Sequence, residues 1–165
     1  MNDSPKRCGF DVSPIGYVQK GQELSHLCIN AEYRDGLKEL EGFSHALVLW
    51  WSGGCGKRPP KPALTFRPPF EAPPLGVFSS RSPGRPNPIS ISTVRLLHVD
   101  HETGRVGISA IDAYDKTPIL DLKPYIPHYD RVRSPQVPRW ARGWPRWLPD
   151  EGVEADEIPA AGTHT

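Results

Sequence analysis

The chain has 165 residues, 37% hydrophobic and 24% charged, which suits one folded domain and is too mixed for a fibrous or disordered chain. Twenty prolines and fifteen glycines exclude an all-α bundle, because proline breaks helix interiors. The net charge is +1, yet residues 57–95 and 123–147 are basic, whereas residues 148–165 carry five acids and no base. The basic segments favour a phosphate-binding surface, with an ordinary solvated face as the alternative.

Signals for export, membrane insertion and metal binding are missing from the sequence. Residues 1–7 have no apolar run, and no stretch approaches 18 uninterrupted apolar residues, so we expect a cytoplasmic protein that spans no membrane. The three cysteines, Cys8, Cys28 and Cys55, are too scattered for a disulfide framework or a metal knuckle. We therefore expect reduced thiols and no metal.

The first half of the chain alternates apolar stretches with turn signals. Residues 15–18 and 27–29, separated at Gly21, predict two strands. Apolar residues at helical spacing over 33–43 predict one or two helical turns. The continuous apolar run 46–51 is typical of a strand buried on both faces, and it is the best core candidate.

The second half opens with ten prolines between residues 59 and 88, which predict a long stiff loop with one short strand at 75–78. The clearest hairpin follows, because 89–99 and 105–111 are rich in β-branched residues and flank a turn at 100–104. A last strand is predicted at 119–122.

This pattern predicts a mainly β fold, a sandwich or a small antiparallel β-barrel, with a long proline-rich loop and little helix. The barrel is favoured because closure removes exposed strand edges. We divide the chain into a lead (1–13), a barrel domain (14–130) and a tail rich in Pro, Trp and Arg (131–165). We expect this tail, with its acidic end, to be partly disordered.

Three weaker motifs have ordinary explanations. The stretch Gly53–Lys57 lacks residues that a phosphate loop requires at both ends. His98 and His101 flank a turn without a third metal ligand nearby. Asp112, Asp115 and Asp121 could pair as general acid and base, but aspartates near strand ends are common.

The most informative segment contains Arg81 and Arg85 among Pro83, Pro86 and Pro88. These prolines restrict the backbone, so both arginines and the neighbouring Asn87 are positioned before a ligand arrives. A guanidinium group grips a carboxylate or phosphate with two hydrogen bonds. The segment thus predicts an anion-binding site, with a plain proline-rich connector as the alternative.

Three stretches of the sequence, residues 40–45 (LEGFSH), 78–92 (FSSRSPGRPNPISIS) and 115–125 (DKTPILDLKPY), resemble motifs of the TrmO/TsaA-like family. Residues 78–92 are similar to its R-S-P-x-R-P-N-P-I-G-L-S signature, and residues 115–125 to its D-G-T-P-[VL]-[LV]-D-I-K-P-Y element. Residues 40–45 are similar to its L-x-G-F-S-H. This chain has Lys116 where the family's glycine would permit a positive φ angle.

The resemblance implies a β-barrel methyltransferase that uses S-adenosylmethionine, usually as a homodimer, and methylates N6 of threonylcarbamoyladenosine in tRNA. The implied cofactor contacts lie just after the apolar run 46–51, in residues 78–92, which we call the arginine segment, and in the turn at residues 115–118. They are Ser52, Gly53, Arg81, Ile91, Asp115, Lys116, Thr117 and Pro118.

Binding of tRNA is expected to use the basic segments, with substrate contacts at Arg85, Asn87, Lys123, Arg139 and Arg142. Trp140, Trp144 and Trp147 are available for stacking on bases. Asp121 or Tyr125 is predicted as the base that takes the proton of the acceptor nitrogen. Two alternatives stay open, a methyltransferase for a small metabolite and a non-catalytic module that binds adenosylmethionine or another anion.

Overall fold

A computed structural model describes residues 11–54 and 62–152. Its strands are β1 (Gly16–Gln19), β2 (Ser25–Ile29), β3 (His45–Trp51), β4 (Thr65–Phe66), β5 (Leu75–Gly76), β6 (Ile89–Asp100), β7 (Arg105–Ile108) and β8 (Pro118–Pro124). The helix α1 spans Pro127–Asp130, and short 3₁₀ helices cover Ala31–Leu37, Leu40–Gly42, Val77–Ser79 and Arg139–Ala141.

Six strands close into an antiparallel barrel in the order β1-β2-β7-β6-β3-β8, with β8 returning to β1. The prediction of a small barrel with little helix is confirmed. Every predicted strand has a counterpart, but the return strand of the hairpin ends at Ile108 instead of residue 111. Residues 33–43 form 3₁₀ turns, and the short strand β5 pairs with β4, which the prolines around it had hidden.

Strand β3 corrects one expectation. It was predicted to be buried on both faces, yet its residues alternate, with Ala46, Val48 and Trp50 buried and Leu47 and Leu49 half-buried. A barrel has a single interior, so only every second residue of a strand reaches it. The other apolar row of β3 lies on the outer face of the barrel.

The hairpin between β6 and β7 requires glycine at its turn. Gly104 has a φ of +72°, and a Cβ there would lie 2.7 Å from the carbonyl oxygen of Ile29. The backbone N–H of Ile29 donates to the carbonyl of Gly104 at 2.8 Å. The turn therefore ties the hairpin to the end of β2.

The described part of the tail packs against the barrel. Ala141 is buried, and the rings of Trp140 and Trp144 contact Phe70 of the proline-rich segment. Gly152 bridges to Ala110 beside the barrel. The N-terminal residues 1–10, Cys8, Cys55 and most of the acidic end lie outside the described residues, so the expectations placed on them have no structural counterpart here.

The described ranges contain a free thiol at Cys28 but no candidate metal cluster. Cys28 is a free thiol that donates to the side-chain oxygen of Gln19 at 3.3 Å. Across residues 11–54 and 62–152, no cluster of three metal-ligating side chains occurs, and no helix has the length and hydrophobicity needed to cross a bilayer.

Candidate active site

A cavity of about 1160 Å³ lies at the barrel end where β3 stops and β6 and β8 begin. We call it the barrel-end cavity. Its wall combines five parts of the chain: the end of β3, the proline-rich segment, the start of β6, the segment before β8 and the tail. Its lining residues include Trp50, Trp51, Ser52, Gly54, Phe66, Phe70, Phe78, Arg81, Ser90, Asp112, Tyr114, Asp115, Lys116, Thr117, Pro118, Trp140 and Trp144.

Arg81 and the 115–118 turn, far apart in sequence, line this same cavity. The guanidinium of Arg81 is exposed and forms no hydrogen bond or ion pair with another described residue. A planar donor fork in that state is available to an anionic ligand. The structure thus brings together the two segments that carry most of the predicted cofactor contacts.

Two hydrogen bonds between Ser52 and Pro88 hold the end of β3 against the arginine segment. The backbone N–H and the hydroxyl of Ser52 both donate to the Pro88 carbonyl, at 2.8 and 2.9 Å. A Cβ on Gly53 would approach the Pro88 ring to 2.6 Å, so only glycine fits there without movement. Ser52 lines the cavity, whereas the predicted contact Gly53 is not among its lining residues.

The 115–118 turn is held by β1. The backbone N–H of Val18 donates to the Thr117 carbonyl at 2.9 Å, and the backbone N–H of Lys116 donates to the Val18 carbonyl at 2.8 Å. Lys116 has a φ of +63°, so this position does require the left-handed conformation that a family glycine would adopt freely. The Lys116 ammonium lies 4.7 Å from the ring centre of Tyr17, a cation–π contact that favours its placement.

One side of the cavity is aromatic. Phe70, Trp140 and Trp144 contact one another with ring centres 5.4–5.8 Å apart. Phe78 and Tyr114, 78% and 73% exposed, stand at the rim. Large exposed aromatic rings beside a cavity provide surfaces on which a purine can stack.

The inner end of the cavity carries a directed hydrogen-bond chain. The Trp50 indole N–H donates to the Ser92 hydroxyl at 2.8 Å, and that hydroxyl donates to Oδ1 of Asp112. Trp50 and Ser92 are buried, whereas Asp112 is half-buried in the cavity wall. Asp112 is therefore a fixed carboxylate facing the site.

Four of the predicted residues lie on or beside the outer face of the barrel. Ile91 and Asp121 are both opposite Leu49 on the outer face of the barrel, and Lys123 lies in the same row as Asp121. Lys123 donates to Asp121 at 2.7 Å, and this hydrogen bond, with the charge of Asp121, raises the pKa of Lys123. Tyr125 follows in that row, with its ring beside His45. None of the four lines the barrel-end cavity.

The predicted substrate contacts occupy the surroundings. Arg85 is half-buried and donates to the Ser80 carbonyl at 2.9 Å, so it braces the arginine segment. Asn87 is exposed, and its carbonyl accepts from Ile89. Arg139 and Arg142 are exposed on the tail segment whose Trp140 and Trp144 line the cavity. Trp147 stands apart and stacks on Arg131.

Sequence reasoning did not single out Phe66 and Phe70, which line the cavity from a segment predicted only as a long stiff loop. It also set Asp112 aside as an ordinary strand-end aspartate. The available signal for Asp112 was its place between Ile111 and Ala113, two residues that the fold buries completely. A charged residue between two core residues on an irregular segment is a reason to examine it.

Comparison with known proteins identifies relatives of this arrangement. The sequence model of the tRNA-methyltransferase O N-terminal domain matches residues 11–131. An S-adenosyl-L-methionine-binding protein of Archaeoglobus fulgidus is 35% identical over 81% of this chain and 85% of its own length. A mouse tRNA (adenine(37)-N6)-methyltransferase is 43% identical over 61% of this chain and 22% of its own length.

A solved structure has the same fold. The crystal structure of TrmO from Pseudomonas aeruginosa superimposes with a TM-score of 0.61 at 29% identity, over 78% of this chain and 62% of that protein. The chain therefore spans most of the archaeal relative but less than two thirds of the bacterial structure and about a fifth of the mouse protein.

Proposed function

Because the chain belongs to the tRNA-methyltransferase O N-terminal domain family, we propose that it is an S-adenosylmethionine-dependent methyltransferase acting on N6 of threonylcarbamoyladenosine in tRNA. One observation carries the proposal: Arg81 and the 115–118 turn line a single cavity of about 1160 Å³ that is also rich in aromatic side chains. A methyl donor and a nucleoside must share one site for transfer to occur.

The cavity fits the chemistry of the cofactor. Arg81 offers a charged fork for the cofactor's carboxylate, and Asp115 places a carboxylate near its cationic groups. Thr117 and the turn backbone supply polar groups for the adenine edge, and the aromatic wall supplies stacking surface. When bound, the cofactor supplies an electrophilic methyl group. The residues of the chain position the acceptor nitrogen for in-line attack and remove its proton.

The tRNA is proposed to approach over the tail. Arg139 and Arg142 are exposed on the same segment as Trp140 and Trp144, which line the cavity. Guanidinium groups beside aromatic rings suit a single-stranded loop, because arginines bind phosphates while splayed bases stack on the rings. With such a substrate, we propose a cytoplasmic location.

A homodimer is proposed on the outer face formed by β3, β6 and β8. This face carries Ile89 and Ile91, 42% and 39% exposed, beside half-buried Leu47 and Leu49. An apolar row on the outside of a small barrel is suited to a second copy. In such a dimer Ile91, Asp121 and Tyr125 would lie at or beside the contact between the two copies.

The test is methyl transfer to defined tRNAs. The protein is incubated with labelled adenosylmethionine and with tRNA that carries or lacks threonylcarbamoyladenosine, and the nucleosides are analysed by mass spectrometry. We expect N6-methylation of the modified tRNA alone. The variant with both Arg139→Ala and Arg142→Ala should bind tRNA more weakly and reduce the slope of log affinity against log salt by about 2.

Other outcomes would reject the proposal in identifiable ways. Formation of S-adenosylhomocysteine with a small-molecule fraction but not with tRNA would indicate a metabolite methyltransferase. Cofactor binding without any transfer would indicate a binding module. A tRNA affinity unchanged in the double arginine variant would remove the tail from the substrate surface.

A further inference from the structure

The cavity holds a carboxylate, Asp112, to which the family resemblance assigned no role. Its Oδ1 accepts the Ser92 hydroxyl, which in turn accepts the Trp50 indole N–H at 2.8 Å. An indole N–H only donates, so the Ser92 proton has to face Asp112. The chain of hydrogen bonds therefore has one direction, and it ends on a carboxylate at the cavity.

The backbone around Asp112 is held on both sides. Ile111 and Ala113 are fully buried. The Lys20 ammonium donates to the Ile111 carbonyl, and the Lys20 backbone N–H donates to Oδ1 of Asp115 at 2.9 Å. A catalytic group needs this support, because a shift of about 1 Å in a reacting group costs on the order of 100-fold in rate.

Asp112 also keeps free acceptor capacity. It forms no ion pair with any lysine, arginine or histidine among the described residues, and its Oδ2 has no hydrogen-bond partner there. Asp121, by contrast, is bound by Lys123 and by the Leu122 N–H. A carboxylate oriented through one oxygen and open at the other is the arrangement a general base requires.

The cavity is lined by two carboxylates, Asp112 and Asp115, and methyl transfer brings together two ligands, the methyl donor and the methyl acceptor. Asp115 is exposed in the turn beside Lys116, whereas Asp112 is half-buried next to Trp50 at the inner end. We assign Asp115 to the cationic methyl donor, which leaves Asp112 for the methyl acceptor. This assignment and the inference that follows rest on the proposed function.

We propose that Oδ2 of Asp112 is the base that takes the proton from the acceptor nitrogen, and that Ser92 is its positioning residue. The N–H bond breaks, the hydrogen forms an O–H bond with Oδ2, and the electron pair stays on nitrogen to form the new N–C bond. The methyl carbon's former bond pair leaves with sulfur. Water then removes the proton from Asp112.

The kinetic test uses Asp112→Asn, with Asp35→Asn as a matched control at an exposed position on a 3₁₀ helix that does not line the cavity. Single-turnover methylation of modified tRNA is measured at saturating adenosylmethionine, and S-adenosylhomocysteine affinity is measured by calorimetry. We expect Asp112→Asn to lose about 10²- to 10⁴-fold in rate. Its affinity for S-adenosylhomocysteine should stay within threefold, and the control should match wild type in both.

Ser92→Ala tests the tether separately. It should lower the rate about tenfold, because Oδ1 of Asp112 loses its hydrogen bond while the carboxylate remains. Its S-adenosylhomocysteine affinity should be unchanged. If Asp112→Asn does not fold, as judged by thermal melting, Ser92→Ala decides: a rate equal to wild type would overturn the inference.

A binding measurement without cofactor gives a readout independent of turnover. Two anticodon stem-loops are compared, one with an N6–H threonylcarbamoyladenosine and one with its N6-methyl form. Wild type should prefer the N6–H form about tenfold, because only that form donates a hydrogen bond to Oδ2. Asp112→Ala should reduce the preference to within twofold. A preference that persists in this variant would be steric and would overturn the inference.

The remaining outcomes also discriminate. A tenfold or greater loss of S-adenosylhomocysteine affinity in Asp112→Asn, with an unchanged rate at saturating cofactor, would make Asp112 a cofactor ligand and overturn the inference. A large rate loss in Asp121→Asn but none in Asp112→Asn would place the base on the outer face. If wild type transfers no methyl group to tRNA, the proposed function fails, and the stem-loop preference alone decides on Asp112.

Discussion

Replacing Arg81 tests the anion-binding half of the site, because the residue has no other task in the described structure. Its guanidinium is exposed and forms no hydrogen bond or ion pair with a described residue. Arg81→Ala should therefore leave the melting temperature within about 1–2 °C of wild type, as expected for surface substitutions worth under about 0.5 kcal/mol. Any loss of ligand affinity then reports on the ligand contact.

The size of that loss follows from the exposure of the group. A hydrogen bond to a charged group contributes about 1.5–3 kcal/mol, and solvent screening at an exposed rim favours the lower part of that range. A loss of about 1.5–2 kcal/mol corresponds to about 10- to 30-fold in Kd. Arg81→Lys keeps the charge but not the planar fork, so it should fall between wild type and Arg81→Ala.

Calorimetric titration with S-adenosylhomocysteine measures the effect, since this ligand keeps the carboxylate and cannot react. Lys38→Ala is the control, because Lys38 is an exposed cation paired with Asp35 that does not line the cavity. Equal affinities for wild type and Arg81→Ala would refute the placement of the carboxylate at Arg81. No binding heat with either protein would refute the cofactor assignment itself.

Two predictions concern stability. Gly104→Ala should destabilise the fold by about 2 kcal/mol or more, because φ is +72° and the new Cβ would lie 2.7 Å from the Ile29 carbonyl. Gly36→Ala meets nothing within 4 Å, so it should be neutral or stabilise by up to about 1 kcal/mol in urea unfolding, and equal effects would contradict the argument. Burial, then the charges of Arg105 and His98, lower the pKa of His26 below 6.5. The unfolded chain thus binds more protons just below pH 6.5, stability should fall as the pH drops from 7 towards 5, and His26→Gln should flatten that slope in thermal melts.

The parts of the fold that sequence predicts well are those where local pattern and tertiary structure agree. Strand β6 is long and β-branched and ends at a glycine turn, so its existence and its hairpin partner were readable. The pairing of β4 with β5 was not, because prolines surround two residues whose ladder depends on the rest of the loop. The packing of Trp140 and Trp144 against Phe70 is likewise set by distant contacts.

The candidate site also has parts that the sequence predicts and parts that it does not. Arg81 and the 115–118 turn were expected to lie together, and both line one cavity. Their placement was predictable because both belong to motifs on a conformationally restricted backbone. Lys116, which stands where the family has a glycine, adopts a left-handed φ of +63°. Which face of a strand a residue occupies is harder, since it depends on where the barrel closes.

The start of β6 shows why the inward-facing side of a strand was hard to predict from its sequence. Ordinary alternation would turn Ile89 and Ile91 inward and the serines outward. The register does the opposite: Ser90 lies opposite Trp50 and Ser92 opposite Val48, inside the barrel, while both isoleucines are outside. Serines that point inward bury less apolar surface than isoleucines would, and a buried hydroxyl is unfavourable unless it is hydrogen-bonded. The hydrogen bond from Ser92 to Asp112 offsets part of this cost and orients the carboxylate. Outward isoleucines leave an apolar strip that a second copy would cover. At its start, β6 therefore turns polar side chains inward and apolar side chains outward, whereas further along it contributes apolar side chains to the core. This reversal marks the end of the barrel where we expect both the chemistry and the subunit contact.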